Sequence, residues 1–428
     1  MSMIGLGAVI SIGLMSGTVL PLFISGSGAV LAYAMAVLML MLLVQCMARL
    51  TTDGAATHTF SESISRYLGD KAACFTRGTY VLALVSIIGT EIVFLVSVIK
   101  QWIPILPRHL TGVTTLFLLA LNIGQSTRAF AFLETALSIM KVTALVGLIA
   151  ASCYVIGAGE NAAMPLGANW LADILQPDAS LLWVSFIVAT LGFAGIEVLS
   201  LAASETAATP CVIRARMLAI SGWLAGLTLA AVAAMSALTY TARLPLPVRP
   251  SLYLLNFFSQ RHADTALGLL VVITVLSVVN SLLYCAARTL REAALAGDLP
   301  LRLRGAFAAS PRVAPLAAFA CSASIFIALT LDGQFVFKLA TAVATTGALT
   351  VWLMIFLASF RLASRRETAG SLPPPLKRWK AVLGASITVA IFVSLHFFEL
   401  FSSSLQWGLP AVVLVGGATL LAKRSKPE

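Results

Sequence analysis

Twelve stretches of this chain are apolar over about the 20 residues a helix needs to cross the hydrocarbon core of a bilayer. They run near 4–24, 28–48, 76–99, 110–126, 131–156, 182–204, 215–240, 266–290, 314–331, 336–360, 378–398 and 403–422, and are numbered spans 1 to 12 below. A backbone inside lipid must satisfy its own N–H and C=O groups, which a helix does within one segment. The rest of the composition agrees: 59% of the 428 residues are hydrophobic and 11% charged, against about 25% charged in soluble domains. The chain therefore reads as an all-α polytopic membrane protein with about twelve transmembrane helices. The N-terminal run has no basic region ahead of it and no small-residue cleavage site, so it reads as the first membrane helix and not as a signal peptide.

Two spans are broken by glycine in matching ways. GAVISIGLMSG, Gly7 to Gly17, lies in span 1, and GFAGIEVLS, Gly192 to Ser200, lies about 185 residues later in span 6. Glycine in membrane helices often serves packing alone. Paired interruptions at corresponding places in two halves of a chain point instead to a transporter's binding site. Broken spans 1 and 6 in a set of ten, followed by two more, suggest an inverted five-helix repeat with two accessory helices. The expected organisation is a transport core over 1–360, with repeats at about 1–157 and 180–360. A linker over 361–377 follows, then accessory spans 11 and 12 with a basic tail over 378–428. Pro373, Pro374 and Pro375 keep the linker from forming helix. The polar stretch 50–75 is expected to form a short amphipathic helix at the inner surface, and 249–260 a helix over the outer mouth.

The net charge of +11 is a topology signal, not a nucleic-acid one. With the N-terminus inside, six Lys and Arg fall outside (Lys100, Arg108, Arg243, Arg249, Arg261, Lys338) and Lys141 lies within a span. The other 21 of the 28 are cytoplasmic. That bias places both termini in the cytoplasm of a multi-pass inner-membrane protein. The six cysteines form no CxxC pair and the four histidines are scattered, so neither disulfides nor a metal site is expected. No cofactor and no catalytic residue is expected.

Charge at the bilayer centre costs about 2.5–3.5 kcal/mol per residue, which singles out Glu91, Glu134, Lys141 and Glu197, with Glu205 at the cytoplasmic end of span 6. Lys141 either pairs with a carboxylate for packing or acts where another transporter holds a sodium ion. Glu134, two turns earlier on the same face, is expected near the water interface in a structural role. Glu91 either pairs with a basic or backbone group or lines the substrate path. Glu197 follows the second break directly and can accept its freed N–H groups as a scaffold. The breaks themselves suit a zwitterion. N–H groups freed near Ser11, Ile12 and Gly13 favour a carboxylate, and carbonyls freed at Phe193, Ala194 and Ile196 favour an ammonium. Phe193 either gates the site or packs. Thr341, Thr345 and Thr346 either add polar pocket contacts or bond their own helix.

These residues resemble the amino acid–polyamine–organocation superfamily, in particular its bacterial amino acid permeases. LGAVISIGLMSG resembles the family's glycine-rich opening, AFLETALSIMKVTALVGL its stretch ending in Ile-Lys-Val, and FAGIEVLSLAASETAATP its Phe-x-Gly-x-Glu pattern with Glu197, Glu205 and Pro210. Glu91 stands where these permeases carry a glutamate. NSLLYCAARTLREAALAGDLP resembles the span 8 pattern, carrying Asn280, Tyr284, Arg288, Gly297 and Pro300. The resemblance implies a LeuT-like fold and secondary transport of an amino acid or related amine, by proton symport or exchange. Its substrate-binding set maps to Ser11, Ile12, Gly13, Met15, Glu91, Phe193, Ala194 and Ile196, and its sodium substitute to Lys141. Glu197, Glu205, Asn280, Tyr284 and Arg288 take structural roles. The partners implied are the substrate, protons and the bilayer, with no nucleic acid, in a monomer or homodimer. Span 1 departs from the family's Ile-Gly-Thr-Gly with Ile10, Ser11, Ile12 and Gly13. That departure supports an alternative, a transport-dead amino-acid-binding protein acting as sensor or accessory subunit.

Overall fold

A computed structural model describes residues 19–54, 58–125, 127–158, 168–204, 206, 208–242, 263–368, 378–398 and 401–424. Regular structure among them is entirely helical. The helices are α1 Val19–Ser25, α2 Ala29–Thr51, α3 Phe60–Leu68, α4 Asp70–Trp102, α5 Arg108–Gln125, α6 Thr127–Ala158, α7 Ala168–Leu175 and α8 Ala179–Leu191. They continue as α9 Val198–Ser204, α10 Pro210–Thr241, α11 Ala263–Leu295, α12 Leu301–Ala309, α13 Val313–Leu331, α14 Gly333–Thr368, α15 Arg378–Ser394 and α16 Leu409–Arg424. Among the described residues seven helices are long and apolar enough to cross a membrane. The count is eight if α7 and α8, bent by 79° across the break between them, form one span.

Helices occupy spans 2 to 12, with α1 at the end of span 1. Their bounds differ from the apolar runs where polar residues extend a helix into water. α4 starts at Asp70 and α14 runs to Thr368, eight residues beyond the apolar stretch that ends at 360. Asp178 turns the chain into α8, accepting from the N–H groups of Ser180 (2.8 Å) and Leu181 (3.0 Å). The Ser180 hydroxyl and these N–H groups hold the Asp178 carboxyl below its ordinary range. The stretch 249–260 lies outside the described residues.

The bundle is organised around α4, which packs against α11, α13 and α14, while α2 packs against α8, α10 and α14. Close approach is local and steric: a Cβ on Gly112 of α5 would collide with the Phe326 ring of α13.

The segment 50–75 does contain a short amphipathic helix, and its apolar side faces protein. α3 buries Phe60, Ser61, Ser63 and Ile64 and packs on α2, α4 and α14. Its start is a capping box. The Thr59 hydroxyl accepts from Glu62 N–H (3.2 Å), and the Glu62 carboxylate accepts from Thr59 N–H (3.0 Å). Ser61 then donates to Glu292 of α11 at 2.8 Å. Thr59→Ala is expected to lower stability by about 1 kcal/mol, read as a lower midpoint of thermal unfolding in detergent, with Thr59→Ser restoring most of the loss.

Candidate substrate and coupling site

Six residues, Gly192 to Glu197, separate α8 from α9 as a run of turns. The sequence forces this locally, because Gly195 sits at φ 102°, where a side chain is strained. Three-residue turn bonds replace the helical ones: Phe193 N–H to Thr190 O (3.1 Å), Ala194 N–H to Leu191 O (3.0 Å) and Ile196 N–H to Phe193 O (3.3 Å). The Gly195 N–H is taken by the Glu197 carboxylate, Oε2, at 3.0 Å. The other oxygen, Oε1, accepts from the Trp352 indole N–H of α14. Glu197 is 1% exposed, so its charge is held by donors and not by water.

The carbonyls differ from expectation. Those of Phe193 and Ile196 are not free, since they accept from Ile196 N–H (3.3 Å) and Leu199 N–H (3.1 Å). Tight turns close their own bonds when the chain doubles back on itself. The Phe193 and Ile196 side chains are buried and Ala194 is half-buried. Phe193 lines a narrow apolar seam with Ala36, Met39, Leu40, Leu43, Thr190 and Trp352.

A second polar cluster lies between α4, α6 and α11. Lys141 of α6 is fully buried, within electrostatic reach of Glu134 on its own helix and Glu91 on α4. Glu91 is 8% exposed, and its Oε2 has no hydrogen-bond partner among the described residues. Glu134 is not at the water interface: it is 0% exposed, because α11 covers it and supplies donors in place of solvent. Its Oε1 accepts from Ser277 at 2.6 Å and its Oε2 from the Asn280 amide at 2.8 Å. Asn280 is thereby placed as a bridge between α11 and α6. Tyr284, one turn on, stacks on Phe130 of α6 with ring centroids 4.4 Å apart. Arg288 stands 4.0 Å from Glu292.

The threonines of α14 bond within their helix where bonds are seen: Thr346 donates to Ala342 O at 2.8 Å and Thr341 to Phe337 O at 2.7 Å. Ser11, Ile12, Gly13, Met15 and Glu205 lie outside the described residues. Sequence reasoning missed Trp352 and the buried pair of Arg77 with Asp298, whose Arg77 Nε donates to Asp298 Oδ2 at 2.7 Å. A signal for Trp352 existed, since a buried indole N–H needs an acceptor. For Arg77 there was none, because its partner is 221 residues away.

Comparison with known proteins follows the same lines. The family described as amino acid permease matches residues 1–417. The amino-acid permease AapA of Bacillus subtilis (strain 168) is 26% identical over 48% of this chain and 45% of its own. The aromatic amino acid transport protein AroP of Escherichia coli (strain K12) is 23% identical over 91% of this chain and 88% of its own. A solved sodium-coupled sialic acid symporter superposes with a TM-score of 0.59 at 11% identity, covering 91% of this chain and 87% of that one. At that identity the likeness is one of fold, and the fold is that of the LeuT-like transporters.

Proposed function

Because the chain belongs to the amino acid permease family, we propose that it moves an amino acid or related amine across the cytoplasmic membrane by alternating access. In this reading Lys141 is its coupling residue. The carrying observation is a fully buried lysine within electrostatic reach of two buried carboxylates, Glu91 and Glu134. A charge there is costly in a membrane and is retained where it moves or balances another charge. The substrate sits against the broken helices, with Ser11, Ile12, Gly13 and Met15 on one side and Phe193, Ala194 and Ile196 on the other. Glu91 supplies a polar group beside it. The helix break held by Glu197 supports this placement, since irregular backbone at membrane depth belongs where it lines a site.

The coupled species is a proton or a second substrate molecule. Residues 1–360 form the transport core, 361–377 a linker and 378–428 the accessory helices, with both termini in the cytoplasm. The bias of Lys and Arg supports that orientation. The sensor reading finds no support among the relatives.

The test is ligand-induced stabilisation against the twenty amino acids, γ-aminobutyrate and polyamines, followed by flux of the stabilising compound in proteoliposomes. A ligand bound only by the folded state raises its unfolding midpoint by mass action. Lys141→Ala is expected to keep that stabilisation and to lower concentrative uptake at least about tenfold, the equivalent of about 1.4 kcal/mol. Full uptake by Lys141→Ala would overturn its coupling role.

A further inference from the structure

Glu134 carries more than a packing role. It is fully buried, and both its oxygens are engaged by α11: Oε1 by Ser277 at 2.6 Å and Oε2 by Asn280 at 2.8 Å. Ser138, one turn on along α6, adds a longer contact to Oε1 at 3.5 Å. All of these are donors to the carboxylate, which is the arrangement of an anion pinned in place. Glu91, the other carboxylate acting on Lys141, has one oxygen without a hydrogen-bond partner among the described residues. One carboxylate is thus fixed by a neighbouring helix, and the other keeps acceptor capacity.

We propose that Glu134 is a positioning residue for Lys141: pinned to α11 by Ser277 and Asn280, it is the fixed negative charge that holds the lysine ammonium and ties its charge state to the α6–α11 contact. The inference rests on the transport reading above and adds a residue to it. The geometry of α6 supports it. Long helical side chains tend to lean toward the N-terminus of their helix, and Glu134 stands two turns before Lys141 on the same face of α6, within its electrostatic reach. The ionisable groups acting on Lys141 are Glu134 and, from α4, Glu91. The facing side chains of α11, namely Ser277, Asn280 and Ser281, are neutral. α5 and α10, also packed on α6, carry their Lys, Arg and His near their ends, and residues 1–18 contain no ionisable side chain.

Glu134→Gln separates charge from shape. Its carbonyl can still accept from Ser277 or Asn280. Toward Ser277 its new N–H donors meet a hydroxyl that can rotate to accept, while the carbonyl keeps the bond from the Asn280 amide. The variant is therefore expected to fold and to keep ligand-induced stabilisation. Without the anion the ammonium form of Lys141 is less favoured, so the high-pH limb of uptake is expected to move toward acid by roughly one pH unit. In a Lys141→Ala background the same change should leave the profile of residual uptake where it was.

The experiment is uptake of the stabilising amino acid into proteoliposomes from pH 5 to pH 9 (bounds chosen at roughly two units either side of neutral), for the unaltered protein, Glu134→Gln, Lys141→Ala and the double variant. A displaced limb that depends on Lys141 supports the inference. Uptake reduced by the same factor at every pH, or a displacement that persists without Lys141, overturns it and leaves the transport reading standing. Ligand binding without uptake by the unaltered protein overturns both. If Glu134→Gln fails to fold, Asn280→Ala provides the second arm, since it frees one carboxylate oxygen while keeping the charge. With the anion less firmly held, the limb should move in the same direction as in Glu134→Gln but by less, and only while Lys141 is present; an unmoved limb there would overturn the inference.

Discussion

Glu197→Gln is expected to lose transport nearly as completely as Glu197→Ala, although it differs from the native residue by one polar atom. The reason is that Glu197 faces donors on both sides. Gly195 N–H approaches Oε2 at 3.0 Å and the Trp352 indole N–H donates to Oε1. A carboxylate is acceptor-only and satisfies both. An amide satisfies one and turns its own N–H2 toward the other, replacing a bond with a donor–donor contact. Each buried donor left without an acceptor costs about 1–3 kcal/mol. Trp352 cannot find water, being 1% exposed, and Gly195 is held at φ 102° by the turn itself. The loss falls on the shape of Gly192–Glu197, the segment assigned to substrate binding. Ligand-induced stabilisation should therefore disappear together with uptake, the latter by at least about thirtyfold, or about 2 kcal/mol. Glu197→Asp keeps two acceptors on a shorter arm and should retain partial binding. Equal uptake by Glu197→Gln and the unaltered protein would show that the break does not depend on this carboxylate.

The contact between Gly195 and Glu197 was legible because it is local: the glycine in the helix break and the carboxylate that accepts its N–H are two residues apart. The apolar runs were legible for a similar reason, since lipid demands continuous hydrophobicity along each helix. What could not be read was set by pairing between distant helices. Glu134 looked exposed because it lies near the start of its apolar run, and only the placement of α11 against α6 shows Ser277 and Asn280 replacing water there. The Phe193 and Ile196 carbonyls looked free because a glycine break announces lost helical bonds without announcing the turn bonds that replace them. Trp352 is the acceptor-seeking side chain of α14, yet nothing in span 10 names Glu197 as its target.

The pair of Arg77 and Asp298 lies at this same limit of legibility, and its loss should have the largest effect on stability. Arg77 is near the start of α4 and Asp298 follows α11 in the turn between Gly297 and Pro300. Their side chains are 4% and 2% exposed, and the guanidinium uses both Nε and Nη2 on a single carboxylate oxygen. Gly297, at φ 78°, lets the chain double back so that Asp298 N–H reaches Ala293 O at 2.8 Å and the carboxylate turns toward α4. Removing one partner of such a pair strands a buried charge, which costs about 3–5 kcal/mol. Arg77→Met and Asp298→Leu are each expected to lower the unfolding midpoint sharply and to reduce the yield of folded protein. The double variant removes both charges and should recover most of the loss, since a buried ion pair and an apolar replacement are often close in stability. The cycle therefore yields a coupling energy that neither single variant contains. The same cycle also reports on function. The pair joins α4, which carries Glu91, to the end of α11, which carries Ser277 and Asn280. If it only stabilises, the double variant should fold and transport normally. If it sets the relative position of these two helices through the cycle, the double variant should fold and bind substrate while its uptake remains depressed.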